Sequence, residues 1–353
     1  MGLLILFTGC GQKETGKKEA QSDASYDSIL KDKLVLFATL PPRAENPNNP
    51  ITEAKVKLGH ALYYDVRLSR NYRISCNSCH NLSTFGVDNR PTSPGDGGEF
   101  GERNSPTTLN AAFHFVQFWD GRAKDVEEQA GGPILNPVEM AMPSEKAVIQ
   151  RLKEEPYYQK RFKEAFPNEP NPITFENVKK AIAAFERVLV TPSRFDQYLQ
   201  GDTKALTLEE KKGLLTFINT GCTSCHSGAL LGGTTYQKFG VYGNYWEYTH
   251  SEKIDEGRYA ITKNEMDKYF FKVPSLRNVA KTGPYFHDGN VASLDSAVRI
   301  MAKLQLNQNL SDEQVKNIVA FLNALTGDIP EEYKQPPADL PQVKGSKQVA
   351  SQK

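Results

Sequence analysis

Cys76-Asn77-Ser78-Cys79-His80 and Cys222-Thr223-Ser224-Cys225-His226 are two copies of one Cys-x-x-Cys-His pattern, and they divide the chain. Two thiols at this spacing can add across the vinyl groups of a single haem while the adjoining imidazole takes an axial position on its iron. A structural zinc site would need four thiolate or imidazole ligands gathered at one place, and a redox dithiol needs neither the following histidine nor a second copy. The pair therefore predicts two covalently attached c-type haems, held by Cys76, Cys79, His80, Cys222, Cys225 and His226. Of the 5 cysteines only Cys10 lies outside the motifs, so none is left for a structural disulfide.

Around the first pentad, Val56, Leu58, Ala61 and Leu62 fall on a helical period, and Phe175, Val178, Ile182, Phe185 and Leu189 form a second stripe. Ahead of the second pentad, Thr207-Leu208-Glu209-Glu210 is a capping box opening a helix to Ile218. Ser311-Asp312-Glu313-Gln314 opens another, with Val315, Ile318, Val319, Leu322 and Leu325 on one face. Such stripes are core packing and carry no chemistry. Almost nothing alternates as a strand would. The order helix, pentad, long loop, helix occurs twice, so the expected fold is mainly α, two cytochrome c-like haem domains in tandem with long loops. Thr191-Pro192-Ser193 marks the boundary, giving domains at 34–190 and 191–328. Beyond 328 the chain turns to Pro, Gln, Lys and Ser, and 329–353 is expected to be a disordered tail.

At the N-terminus, Leu3-Leu4-Ile5-Leu6-Phe7-Thr8-Gly9-Cys10 is an apolar stretch, too short to span a bilayer, that ends at a lipobox-like Thr-Gly-Cys. Residues 1–33 are expected to be a lipoprotein signal and flexible tether, with lipidation at Cys10 as the only membrane contact and a periplasmic location. No basic residue precedes the stretch, a departure from the usual signal, and an ordinary cleaved signal peptide is the alternative. The 353 residues, 39% of them hydrophobic, suffice for about two domains. A net charge of +1 without a basic block in the body excludes a nucleic-acid partner.

The sixth ligand on each iron separates an electron carrier, closed at both, from a peroxidase, open at one. Met266 and Met301 follow the second pentad, and either could reach a haem through a long loop, although methionine is more often a core filler. Met140 and Met142 follow the first, and beside them Glu139 is a candidate acid for moving a peroxide proton, with a solvated surface carboxylate as the alternative reading.

From Leu58 to Leu325 the chain resembles the bacterial di-haem cytochrome c peroxidases. The matching blocks include Leu58-Gly59-x-x-Leu62-Tyr63-Tyr64-Asp65-x-Arg67-Leu68-Ser69, Arg103-Asn104-Ser105-Pro106-Thr107, Phe118-Trp119-Asp120-Gly121-Arg122 and Asn136-Pro137-Val138-Glu139-Met140. Glu128-Gln129-Ala130-x-Gly132-Pro133, Val273-Pro274-Ser275-Leu276-Arg277-Asn278 and Thr282-Gly283-Pro284-Tyr285-Phe286-His287-Asp288-Gly289 complete them.

The resemblance implies a low-potential peroxidatic haem on His80 with Gln129 and Glu139 as active-site residues. It also implies a high-potential haem on His226 with Met301 as axial ligand, and Trp119 between the two. It further implies a calcium ion held by the Asn104 side chain and the carbonyls of Thr282 and Pro284. The expected substrate is hydrogen peroxide, the donor a small monohaem cytochrome c or cupredoxin, and a homodimer is possible. Many relatives carry, in the glycine-rich loop, a histidine that ligates the peroxidatic iron until the other haem is reduced. The matching position here is Asp96, so the oxidised protein is expected to hold that iron five-coordinate or weakly water-ligated. The related enzyme that matures a quinone cofactor in methylamine dehydrogenase has a tyrosine where Met301 stands. That type, and a non-enzymatic di-haem carrier, are the rival readings.

Overall fold

The computed structural model describes residues 23–343, and two helix pairs organise it. Glu53–Tyr64 crosses Phe175–Glu186 in the first half, and Leu208–Thr220 crosses Asp312–Ala324 in the second. Each crossing turns on a glycine. A Cβ on Gly59 would lie 1.9 Å from Ala181 O and 2.9 Å from Phe185 Cβ; one on Gly213 would lie 1.9 Å from Asn317 O and 2.9 Å from Phe321 Cβ. The helix axes approach so closely that only a missing side chain fits. All four helices begin with a Ser or Thr cap whose hydroxyl accepts from the N3 amide, which satisfies an otherwise orphaned donor.

The duplication continues past the helices. Asn110 and Asn278 both adopt left-handed backbone (φ 61° and 60°) ahead of a short 3-10 turn. Their amides donate to Leu189 O and Leu325 O. Their Nδ2 atoms converge on Thr191 Oγ1 at 2.7 and 2.8 Å, so the segment joining the halves is clamped by both. The only regular sheet among the described residues is the antiparallel pair Tyr236–Lys238 and Phe270–Lys272.

The first core gathers Leu58, Leu62, Ile134, Val148, Phe162 and Ile182; the second gathers Phe195, Leu214, Phe217, Ile318 and Phe321. Two terminal segments depart from expectation. Residues 23–33 are no loose tether within the described chain: Asp23–Leu30 is a helix, Leu30 is fully buried in the second core, and Lys211 Nζ pairs with Asp23 and Asp27 at 2.7 and 2.8 Å. The tail is also ordered through 343. Ile329, Tyr333 and Leu340 pack on the first half, and main-chain carbonyls of Tyr333, Gln335 and Pro341 accept from Tyr64, His60 and Arg67. The apolar content of this tail is low, but its prolines leave carbonyls unpaired locally, and side chains of the first half use them. Each terminal segment thus packs on the half distant from it in sequence. Cys10 lies outside the described residues.

Candidate functional site

Each pentad opens onto a cavity. Cys76, Cys79 and His80 line the first, of about 540 Å³, and Cys222, Cys225 and His226 line the second, of about 280 Å³. Cys76–Cys79 is a single helical turn held by the Ser75–Ser78 capping box. His80 Nδ1 donates to Pro106 O and His226 Nδ1 to Leu231 O, both at 2.9 Å. A carbonyl partner fixes the Nδ1–H tautomer and leaves Nε2 with its lone pair for a metal. Burial pulls both imidazoles below the usual histidine range, keeping them neutral.

The donor sets suit haem rather than zinc. Burial pushes the Cys79 thiol up to about 11 and that of Cys222 up to about 12, against the thiolate a zinc site requires. No cluster of three or more His, Cys, Asp or Glu side chains able to hold a metal occurs among the described residues.

The two cavities differ in what faces the histidine. Gln129, from the Val126–Leu135 helix, and Glu139, from the turn after it, line the first, where His80 is the sole imidazole among the described residues. Burial raises the Glu139 carboxyl above its ordinary value, and opposition from Arg122 and the Asn136 hydrogen bond does not cancel it. Ala260 and Ile261, from the second half, complete this cavity's wall. Met301, on Leu294–Leu306, lines the second cavity, whereas Met266 is 80% exposed on a surface turn. Met140 and Met142 are core residues, although Met140 also reaches the first cavity wall.

Between the cavities stands a shared partition. Trp119, Asn104, Pro106 and Thr107 line both, and Trp119 Nε1 donates to Asn104 O at 3.0 Å. Asn104, Thr282 and Pro284 all line the second cavity; Asn104 Nδ2 donates to Arg90 O, and no hydrogen bond reaches its Oδ1 among the described residues.

Asp96 does not face the first cavity. It is 1% exposed, and Oδ2 accepts from Asn71 N at 2.8 Å, while Ser93, Pro94 and Gly95 supply the loop's share of the wall. The Asp96 amide donates to Glu139 O at 2.8 Å, and a Cβ on Gly95 would lie 1.8 Å from Val138 O. The glycine-rich loop is therefore stitched to the segment that carries Glu139.

Glu186, Lys272 and His287 were not expected at these walls. Glu186 lines the first cavity, and burial, with Glu127 adding to it, pushes its carboxyl up to about 8. His287 and Lys272 line the second. For His287 a sequence signal existed: Phe118-Trp119-Asp120-Gly121 and Phe286-His287-Asp288-Gly289 are repeats. Both carry positive φ at Phe and Gly, and the bridges Gln117–Ala123 and Tyr285–Val291 flank them. The two rings meet edge to face at 6.4 Å.

Duplicated helical halves around two Cys-x-x-Cys-His cavities, one with Met301 in its wall and one with Gln129 and Glu139, define a di-haem oxidoreductase. The family model described as di-haem cytochrome c peroxidase matches residues 53–204. The chain is 46% identical over 329 residues to cytochrome c551 peroxidase of Pseudomonas aeruginosa, covering 93% of this chain and 92% of that one. With cytochrome c551 peroxidase of Nitrosomonas europaea it shares 46% over 299 residues, 84% and 86% of the two chains. A solved MauG-like protein associated with microbial copper homeostasis superposes with a TM-score of 0.73 at 28% identity, covering 84% of this chain and 95% of that one. The chain belongs to the di-haem cytochrome c peroxidase family and is an enzyme of that class. No helix among the described residues is long and apolar enough to cross a membrane.

Proposed function

We propose that the protein reduces hydrogen peroxide to water at the first cavity with electrons that enter at the second from a small monohaem cytochrome c or cupredoxin. One observation carries this reading: Met301 lines the second cavity, while among the described residues the first presents Gln129 and Glu139 and no imidazole but His80. A haem on His80 would supply an iron with a free coordination position for peroxide, and a haem on His226 with Met301 would supply a high-potential store for the incoming electrons.

The chain's own residues do the rest. Glu139 takes one proton of hydrogen peroxide and returns it to the oxygen that leaves as water, a role that its raised pKa and position at the cavity wall suit. The Gln129 amide orients the peroxide. Trp119, in the partition, lies on the route between the sites. The net reaction consumes two electrons and two protons per peroxide and yields two waters. Asn104, Thr282 and Pro284 would hold a calcium ion at the same partition, where neutral oxygens suit a hard cation. A periplasmic location with lipidation at Cys10 rests on the Thr8-Gly9-Cys10 sequence, and a homodimer on family likeness alone.

The quinone-cofactor type of chemistry is disfavoured by Met301, which stands where that enzyme has tyrosine. A pure carrier is disfavoured by the first cavity, whose wall presents a carboxylate and an amide and whose one thioether, Met140, is packed into the first core.

With Asp96 turned to Asn71 N, the ferric protein is expected to act without prior reduction. The test is peroxide-dependent oxidation of a reduced small cytochrome c, begun with fully ferric enzyme and repeated after reducing only the high-potential haem. Immediate turnover supports the reading. Turnover only after half-reduction would overturn the role given to Asp96, and silence in both would overturn the peroxidase.

A further inference from the structure

Lys272 is a buried amine that, among the described residues, forms no ion pair with a carboxylate. It ends the Phe270–Lys272 strand, is 4% exposed, and lines the second cavity. Among the described residues its single side-chain hydrogen bond runs from Nζ to His114 Nδ1 at 2.8 Å, and His114, also in the cavity wall, leaves Nε2 buried without a partner. Of the charged and titratable groups around it, His287 lines the same cavity, stacks on Phe271 and leaves Nε2 buried without a hydrogen bond, 4.0 Å from Asp255 Oδ2. Asp120 is the one acid acting on Lys272, yet it is bound by Arg103 at 2.5 Å and Arg122 at 3.1 Å. Tyr236, paired across the ladder, accepts at its hydroxyl from Arg258 at 2.5 Å, and Arg258 also donates to Asp120 O. His226 lines the same cavity with Nδ1 bound to Leu231 O.

Two consequences follow from this geometry. An amine donates one N–H to His114 Nδ1 whether it is neutral or an ammonium, so Lys272 can gain or lose a proton without breaking the contact. And a charge buried at the wall of a low-dielectric cavity acts strongly on any other charge placed in that cavity.

We propose that Lys272, braced by His114, is the proton partner of the electron-entry site: one electron arriving in the second cavity draws one proton from solvent onto Lys272 Nζ, and its onward transfer releases that proton. The electron comes from the reduced donor protein, the proton from water, and the amine becomes an ammonium, so the cavity's net charge is unchanged across the step. Lys272 is a positioning and charge-compensating residue, not a catalytic one. Burial brings its pKa down to about 7, where both forms are populated at neutral pH. The inference rests on the haem reading of the second cavity.

The test is potentiometric titration of the high-potential haem, followed by its visible absorption, on the two-haem holoprotein from pH 6 to 9. In the wild type the midpoint potential should fall as pH rises past about 7. A tenfold change in proton concentration coupled to one electron corresponds to ~59 mV. Lys272→Arg, charged throughout, should hold a high potential independent of pH; Lys272→Met, never charged, a low one, also independent of pH. A purely structural role would move both variants the same way. A flat wild-type profile, or a slope that survives in Lys272→Arg, overturns the proposal and assigns any titration to another group. If Lys272→Met fails to take up haem, Lys272→Arg alone decides. Peroxide turnover, measured separately, reports on the parent reading: its loss with an intact pH slope would sink the peroxidase and leave the coupling standing.

Discussion

Replacing Glu139 with Gln keeps the size and hydrogen-bonding shape of the side chain and removes its ability to take a proton. The surroundings set what that should do. Burial raises the Glu139 carboxyl, and Arg122 and Asn136 only partly offset the shift. In the proposed mechanism the wild type needs the carboxylate to start the cycle, so turnover should fall as pH drops through a pKa above the ordinary glutamate value. A positioned acid–base group contributes about 10²–10⁴-fold, or roughly 3–5 kcal/mol of barrier. Glu139→Gln is therefore expected to lower kcat by about that factor and to erase the acid limb of the pH profile. Stability moves the opposite way. A carboxyl raised on folding opposes the folded state above its unfolded pKa, so the amide should leave the protein equally or slightly more stable at neutral pH. The assay is steady-state oxidation of reduced cytochrome c from pH 4 to 8, with haem content checked by absorption. Turnover within threefold of wild type, or an unchanged acid limb in the variant, would refute the assignment.

Two further outcomes concern the scaffold. Arg277 is buried against Asp196, with Nη2 at 3.0 Å from Oδ1, and also holds Ala229 O and Ser193 Oγ. Arg277→Met should cost about 3–5 kcal/mol in chemical denaturation by leaving a buried carboxylate unpaired. Burial pushes Asp196 up, but Arg277 together with the Ser193 and Leu40 amides holds it below the usual range. Its contribution is thus present above the unfolded aspartate pKa and lost as pH falls through the folded one, and the wild type should lose its advantage over the variant in acid. Gly213→Ala should lower the thermal midpoint measurably, since the added carbon would sit 1.9 Å from Asn317 O and overpacking costs about 1–3 kcal/mol; an unchanged midpoint would mean that the helices do not cross as closely as described.

The chemistry was legible where it is local. A haem bound through thioethers needs its two cysteines and histidine within five consecutive residues, so the pentads announce both cavities. The helix pairs were legible from capping boxes and stripes of 3.6 period. The two terminal segments were not, because their docking depends on long-range partners: Leu30 meets a core built far along the chain, and the tail binds through carbonyls of Tyr333, Gln335 and Pro341, which no side-chain pattern encodes. Asp96 shows a different limit. Its place in the glycine-rich loop was readable, but its direction was decided by Asn71 N, a backbone donor with no sequence signature. Lys272 and His114 meet across 158 residues, so neither could be singled out in isolation.

The internal symmetry carries the deeper reason that one duplicated fold holds two unlike sites. Gly59 and Gly213, Asn110 and Asn278, and the Phe-x-Asp-Gly turns keep equivalent backbone geometry in both halves. These positions fix how close the helices come and where the loops turn, so each half forms a cavity of the same kind. Side chains pointing into the cavities are free of that constraint. At the paired turn one half places Trp119 and the other His287; in the cavity walls one half places Glu139 and the other Met301. A thioether closes a site and suits it to hold an electron, whereas a carboxylate at a roomier cavity suits proton movement. The partition shared by Asn104, Pro106, Thr107 and Trp119 then sets these two chemistries side by side, as a reaction needing both two electrons and two protons requires.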